Sequence, residues 1–248
     1  MSELPDDDAA APKLAEQTAA KIELAIAARG WPLGAVIGSE SDLLAEYGVS
    51  RAVLREAVRL LEHDNVARMR RGPGGGLVVA VPDTLAVTRA SDRFLRYRNA
   101  TPQQLADVRI AVELAAVRSA AENIDEAGIG LLRAVLDEEA AAGRQPDIAS
   151  HQFHIVVGRL SGSPAAELFT EVLARLTAAR LDSAGRAVQE LAPPGVLAAH
   201  EAIAEAIIAG DVGLAQHRAS RHLQAVADAV SRGAAAKPPS QRPRRRQR

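Results

Sequence analysis

Apolar positions between residues 12 and 61 recur at helical spacing in three runs separated by turn residues. Over 12–29, Leu14, Ala15, Thr18, Ile22, Ala25 and Ile26 share one face, and Gly30-Trp31-Pro32-Leu33-Gly34 ends the run. Ser39 with Asp42 three residues on is a capping-box start for a short helix carrying Leu43, Leu44 and Tyr47. Gly48 stops that helix, and Ser50 caps a third with Val53, Leu54, Ala57, Val58 and Leu61 inward. The period then changes. Val66–Arg71 and Leu77–Val81 are strand-like runs around the turn Gly72-Pro73-Gly74-Gly75-Gly76, which predicts a β-hairpin. Asn65 suits the left-handed end of the helix before it.

From residue 84 onward only helical patterns follow, over about 84–98, 102–123, 126–142, 147–161, 164–185, 195–209 and 212–232. Thr101-Pro102 and Ser163-Pro164 pair an N-cap with proline at the first helical position. Gly143, Gly162 and Gly210 stand where C-caps belong, and Pro193-Pro194 interrupts. The expected fold class is mainly α: a winged helix-turn-helix of three helices and a small hairpin (12–81), then an all-α bundle (82–232). Residues 1–11 are expected as an irregular acidic arm and 233–248 as an irregular basic tail.

Composition narrows this picture. Hydrophobic residues make up 48% of the 248 but aromatics only 2%, so the core must be built from Ala, Leu, Val and Ile in closely packed helices. The absence of cysteine excludes disulfides and thiolate metal sites. No apolar run reaches membrane-spanning length and the N-terminus is acidic, so a soluble cytoplasmic protein is expected. A net charge of −1 does not mark a nucleic-acid binder, so any such claim must rest on where the arginines stand.

Arg51, Arg55 and Arg59 stand at i, i+4 and i+8 on the third helix. A solvated helix face would look the same. The alternative is a recognition helix whose guanidinium forks reach guanine edges and phosphates in the major groove. The basic hairpin that follows favours the second reading. The segment GSESDLLAEYGVSRAVLREAVRLLEHDNVARMRRGPGGGLVV, with its SRxxLREAxRxLE core, resembles the GntR family of bacterial transcription regulators. The resemblance implies DNA contacts from Ser50, Arg51, Ala52, Arg55 and the wing glycine Gly72. Many relatives carry arginine where this chain has Ser41, so operator preference departs there.

The helical region resembles the all-helical (FCD) effector domain of the family's FadR-type branch. His200 and His222 lie ten or eleven residues either side of the Gly210-Asp211 turn, so an antiparallel hairpin sets them level. Both share faces with small apolar residues, and His154 from another helix would complete a three-nitrogen metal site; satisfied core histidines are the alternative. The resemblance places Phe153-His154, His200 and His222 at the branch's metal-ligand positions, implying a divalent ion such as zinc. It also implies an Asp four residues before His154, where this chain has Ser150. Asp147 and His151 repeat that spacing in the wrong register and are expected exposed. Arg109 matches the place of an arginine that holds a small organic acid in relatives; its plainer reading is a solvated ion pair with Glu113. Trp31 is expected to pack rather than stack on a base.

Together these features predict a ligand-responsive regulator, expected as a repressor, that binds double-stranded DNA at a short palindrome as a homodimer. It is not expected to be an enzyme. A metal hydrolase would need a general base, and His200-Glu201 lacks the second histidine of HExxH because residue 204 is Ala. A non-specific packaging protein would have no use for the structured helical region.

Overall fold

The element boundaries follow from capping chemistry and left-handed glycines. The computed structural model describes residues 7–72, 74–142, 149–184 and 195–236, and side chains over somewhat less. It divides into two compact units, Met1–Ala86 and Val87–Arg248.

The first unit holds α1 (Asp7–Ala28), β1 (Val36–Gly38), α2 (Glu40–Tyr47), α3 (Arg51–His63), β2 (Ala67–Arg70) and β3 (Gly76–Val79). Ser39 caps α2 reciprocally: its hydroxyl accepts from Asp42 N and its own N–H donates to Asp42 Oδ2 at 2.9 Å. Gly48, at φ +63°, ends that helix. Ser50 in extended conformation then opens α3, accepting from Val53 N at 3.3 Å. Asn65 takes φ +56° as expected, and its amide donates to Val81 O at 2.6 Å.

The sheet is antiparallel in the order β1-β3-β2, with Arg68 opposite Val78 and Met69 opposite Leu77. Strand β1 is absent from the sequence reading, since three residues ending in glycine carry no period. It pairs Val36 with Val78 and makes the hairpin a three-stranded sheet. The core joins Ile22 and Ile26 of α1 to Leu43, Leu54, Leu61 and Leu77. Trp31 packs against this core and donates Nε1–H to Ala80 O at 3.0 Å.

Three expectations are corrected here. Residues 7–11 are not irregular but continue α1 upstream, through a run Ala9–Ala11 of high helix propensity. Leu14 is exposed, while Ala19 joins the core. The final helix runs past 232 to Ala236 through a run of alanines. Residues 1–6 and 237–248 lie outside the described residues, as do Gly143, Asp147 and Pro193-Pro194.

The second unit is all helical: α4 (Thr84–Tyr97), α5 (Pro102–Asn123), α6 (Glu126–Ala142), α7 (Ala149–Leu160), α8 (Pro164–Ala184), α9 (Val196–Ile208) and α10 (Val212–Ala236). Thr101 caps α5 in a box completed by Gln104, with Pro102 at the first position. The core is rich in alanine, with Ala116, Ala120, Ala204, Ala206, Ala215 and Ala219 each at most 2% exposed. Small side chains let the helices approach closely around Leu132, Phe153, Ile203 and Ile207. Gly210 at φ +68° reverses the chain between α9 and α10, and Asp211 Oδ1 accepts from Leu214 N to start α10. No described helix is long and apolar enough to cross a membrane.

Candidate functional site

Histidines from α7, α9 and α10 converge inside the second unit. His154, His200 and His222 are 6%, 0% and 6% exposed, and each offers a ring nitrogen within 4.8 Å of the others. The hairpin sets His200 and His222 level, as their spacing predicts, with Nε2 atoms 3.1 Å apart. His154 stacks on His222, and Phe153 stacks on His200 at 4.3 Å between centroids.

Two carboxylates hold the rings. Glu113 of α5 places Oε2 2.6 Å from His154 Nδ1, and Glu139 of α6 places Oε2 2.7 Å from His200 Nδ1. An Nδ1–H donating to a carboxylate leaves the lone pair on Nε2, the tautomer that a metal requires. Burial above all lowers the His154 and His222 pKa values, to about 4 and about 2, with the Glu113 carboxylate opposing it in part at His154. Both imidazoles are therefore neutral near pH 7, as metal ligands must be. For ligand nitrogens about 2.0–2.1 Å from a tetrahedral zinc the expected N–N separation is about 3.3 Å, close to the 3.1 Å seen here. The donor set fits a borderline divalent ion.

Arg109 does not make a solvated pair with Glu113. Both are 3% exposed, and Nε donates to Oε1 at 2.5 Å. Burial opposes ionisation of Glu113, but the Arg109 charge and then His154 outweigh it and hold the carboxyl well below its usual range. The same Arg109 lines a narrow apolar cleft with Leu105, Ile110, Leu223 and Val226.

His151 also departs from expectation. It is half-buried rather than exposed, and burial, followed by the charges of Arg109 and His154, brings it down to about 3. Standing three residues before His154, it lies on the same face of α7. The Ser150 side chain is outside the described residues. Glu139 carries no signal in the sequence, since 61 positions separate it from His200.

On the first unit, Arg51, Ala52 and Arg55 are exposed along the start of α3, while the Ser50 hydroxyl is committed to capping it. Arg59 turns back to Glu56 at 2.9 Å, so the arginine row has two members without an ion pair among the described residues. Gly72 is exposed at φ +94° beside Arg71 in the wing turn. Arg70 braces that turn through Gly74 O, and Glu62 accepts from Met69 N, tying the wing to α3. Ser41 is exposed at the start of α2, its hydroxyl 2.8 Å from that of Ser39.

Residues 14–78 match the model of the bacterial regulatory proteins of the gntR family, and residues 104–225 that of the FCD domain. The chain is 32% identical over 202 residues to an uncharacterized HTH-type transcriptional regulator in an unstable DNA locus of Streptomyces ambofaciens, covering 78% of this chain and 75% of that one. It is 30% identical over 148 residues to the Exu regulon transcriptional regulator of Escherichia coli (strain K12), covering 58% and 55%. Among solved structures, a Streptococcus agalactiae GntR superposes with a TM-score of 0.61 at 23% identity, over 86% of this chain and 99% of that one, a likeness of fold.

Proposed function

The chain belongs to the gntR family of bacterial regulatory proteins and carries an FCD domain, and from that premise we propose that it is a cytoplasmic, ligand-controlled repressor of one palindromic operator. Two copies bind the two half-sites, since a two-fold site calls for a two-fold protein. Arg51 and Arg55 read base edges while Ser50, Ala52 and Gly72 approach the backbone. Loss of arginine at Ser41 shifts base preference away from that of relatives.

The observation that carries the effector half of this reading is the convergence of three buried imidazoles in a unit that also buries a guanidinium. His154, His200 and His222 hold a divalent metal, which when bound supplies positive charge to attract a carboxylate. Arg109 uses Nε for Glu113 and also lines the apolar cleft, where an effector carboxylate would pair with its guanidinium. Both carboxylates are committed to imidazole Nδ1 atoms, which leaves neither as the general base of a hydrolase. The effector controls DNA binding to the extent that it binds the competent and incompetent states unequally.

The test selects random duplexes with purified protein, with and without chelator, beside an Arg51→Ala/Arg55→Ala variant, and measures bound metal by mass spectrometry. The expected result is one palindromic motif lost in the variant, and about one metal per chain lost in His222→Ala. Motif-free binding equal in both proteins would refute the operator reading; metal-free protein that takes up none on titration would refute the metal reading.

A further inference from the structure

Threonines buried in helices ordinarily settle their hydroxyl on their own backbone. Thr18 donates to Leu14 O at 2.7 Å and Thr177 to Leu173 O at 2.8 Å, each four residues back. Thr170 of α8 does not. It is 1% exposed, and its Oγ1 has no hydrogen-bond partner among the described residues. A buried hydroxyl left in that state is costly, so something at this position is worth that cost.

Two further observations say what it faces. Gly158 of α7 leaves room for the Thr170 Cβ and Cγ2 atoms, which a Cβ at 158 would meet at 3.0 and 3.2 Å. The Cβ and methyl of Thr170 thus stand against α7 at Gly158. Thr170 also lines a small cavity together with Glu113, His154 and His222. Its free space is about 10 Å³, at the lower limit for one water-sized group. The cavity's other polar walls are engaged elsewhere: Glu113 holds Arg109 and His154, and His222 faces His200.

We propose that Thr170 is a positioning residue of the metal site, its hydroxyl donating to the oxygen atom, from water or an effector carboxylate, that completes the coordination of an ion held by the three histidines. This rests on the metal reading above. Thr170 supplies a hydrogen bond to a ligand oxygen, and so makes that oxygen's placement part of the affinity.

The experiment uses full-length protein stripped with chelator. It is titrated with Co²⁺, followed by visible absorption, and with Zn²⁺ in competition with a chromophoric chelator. Thr170→Val removes the hydroxyl and keeps the shape against Gly158; Thr170→Ser keeps the hydroxyl. Thr170→Val is expected to weaken both metals by about tenfold and shift the Co²⁺ bands, while Thr170→Ser stays within about threefold of the parent. Metal-free Thr170→Val is expected to melt no lower than the parent, because the change removes an unpartnered buried polar group. Parental affinity and spectrum in Thr170→Val would overturn the proposal, as would a metal-free melting loss of the same size as the affinity loss. Should the parent bind neither ion, the metal reading fails and this role with it; should the parent bind and Thr170→Val match it, the Thr170 role alone fails.

Discussion

Replacing Arg109 with methionine isolates the buried charge pair beside the three histidines. Arg109 is 3% exposed and its Nε sits 2.5 Å from Glu113 Oε1, so removing the guanidinium strands the carboxylate of a residue that is also 3% exposed. Breaking one partner of such a pair costs about 3–5 kcal/mol. His154, 2.6 Å from the other Glu113 oxygen, can take up a proton in compensation, which favours the lower end, about 3 kcal/mol. For a helical unit of this size that is a melting loss of about 6–12 °C. Arg109→Met/Glu113→Gln should regain about 2 kcal/mol of the loss, because no charge is left unpaired and an acceptor for His154 remains.

The assay is urea unfolding of chelator-treated protein by far-UV circular dichroism. Trp31 is the only tryptophan and lies in the first unit, so its fluorescence transition should not move. The pH dependence adds a sign. His154 has its pKa lowered from 6.5 to about 4, so the unfolded chain binds its proton first and the parent loses stability as pH falls from about 6.5 toward 4. Without Arg109, and with Glu113 still charged, folded His154 protonates more readily and that loss shrinks. The gap between parent and Arg109→Met should therefore be widest near pH 7.5 and narrow toward pH 5. A cost under about 1 kcal/mol, or a gap that widens on acidification, would refute the buried-pair reasoning.

Three further outcomes follow from the same geometry. Glu139→Gln should weaken metal binding by about 10–100-fold, as loss of an orienting carboxylate does, read by Zn²⁺ competition; unchanged affinity would show that the His200 tautomer is fixed without it. Gly76→Ala should cost about 2 kcal/mol or more, seen in the Trp31 transition, because Gly76 lies at φ +149° and a Cβ would stand 2.4 Å from Gly38 O. Arg51→Ala and Arg55→Ala should each reduce discrimination between operator and mutated operator by about 1–3 kcal/mol in a competition binding assay, whereas Arg59→Ala, already paired with Glu56, should leave it nearly unchanged.

Local rules were enough to find the frame. Ser39, Gly48, Ser50, Thr101 and Gly210 act through the backbone within a few residues of themselves, so their effects are visible in the sequence as cap, stop or turn. The level placement of His200 and His222 followed from rise per residue in one hairpin. Tertiary pairings were out of reach. Glu139 meets His200 across 61 positions, and β1 exists because Val78 offers it a partner, not because Val36–Gly38 has a period. Arg109 and Glu113 illustrate the same limit from the other side. Their i, i+4 spacing is identical on a solvated helix and a buried one, and only packing by α8 and α10 decides which it is.

The burial of that pair bears on whether the three histidines are simply core residues. A helical core gains most from apolar groups of matching shape, and buried ion pairs are often neutral or worse than such replacements. This bundle nevertheless places Arg109, Glu113, Glu139 and three histidines, each at most 8% exposed, in its second unit. Satisfied core histidines would need one acceptor and one donor each, and a backbone carbonyl would serve as the acceptor. Instead, two of the rings are held through Nδ1 by carboxylates, which leaves Nε2 directed toward its neighbours. On the proposed metal reading, a cation entering this cluster would stabilise the folded second unit, so metal addition should raise its unfolding midpoint in urea.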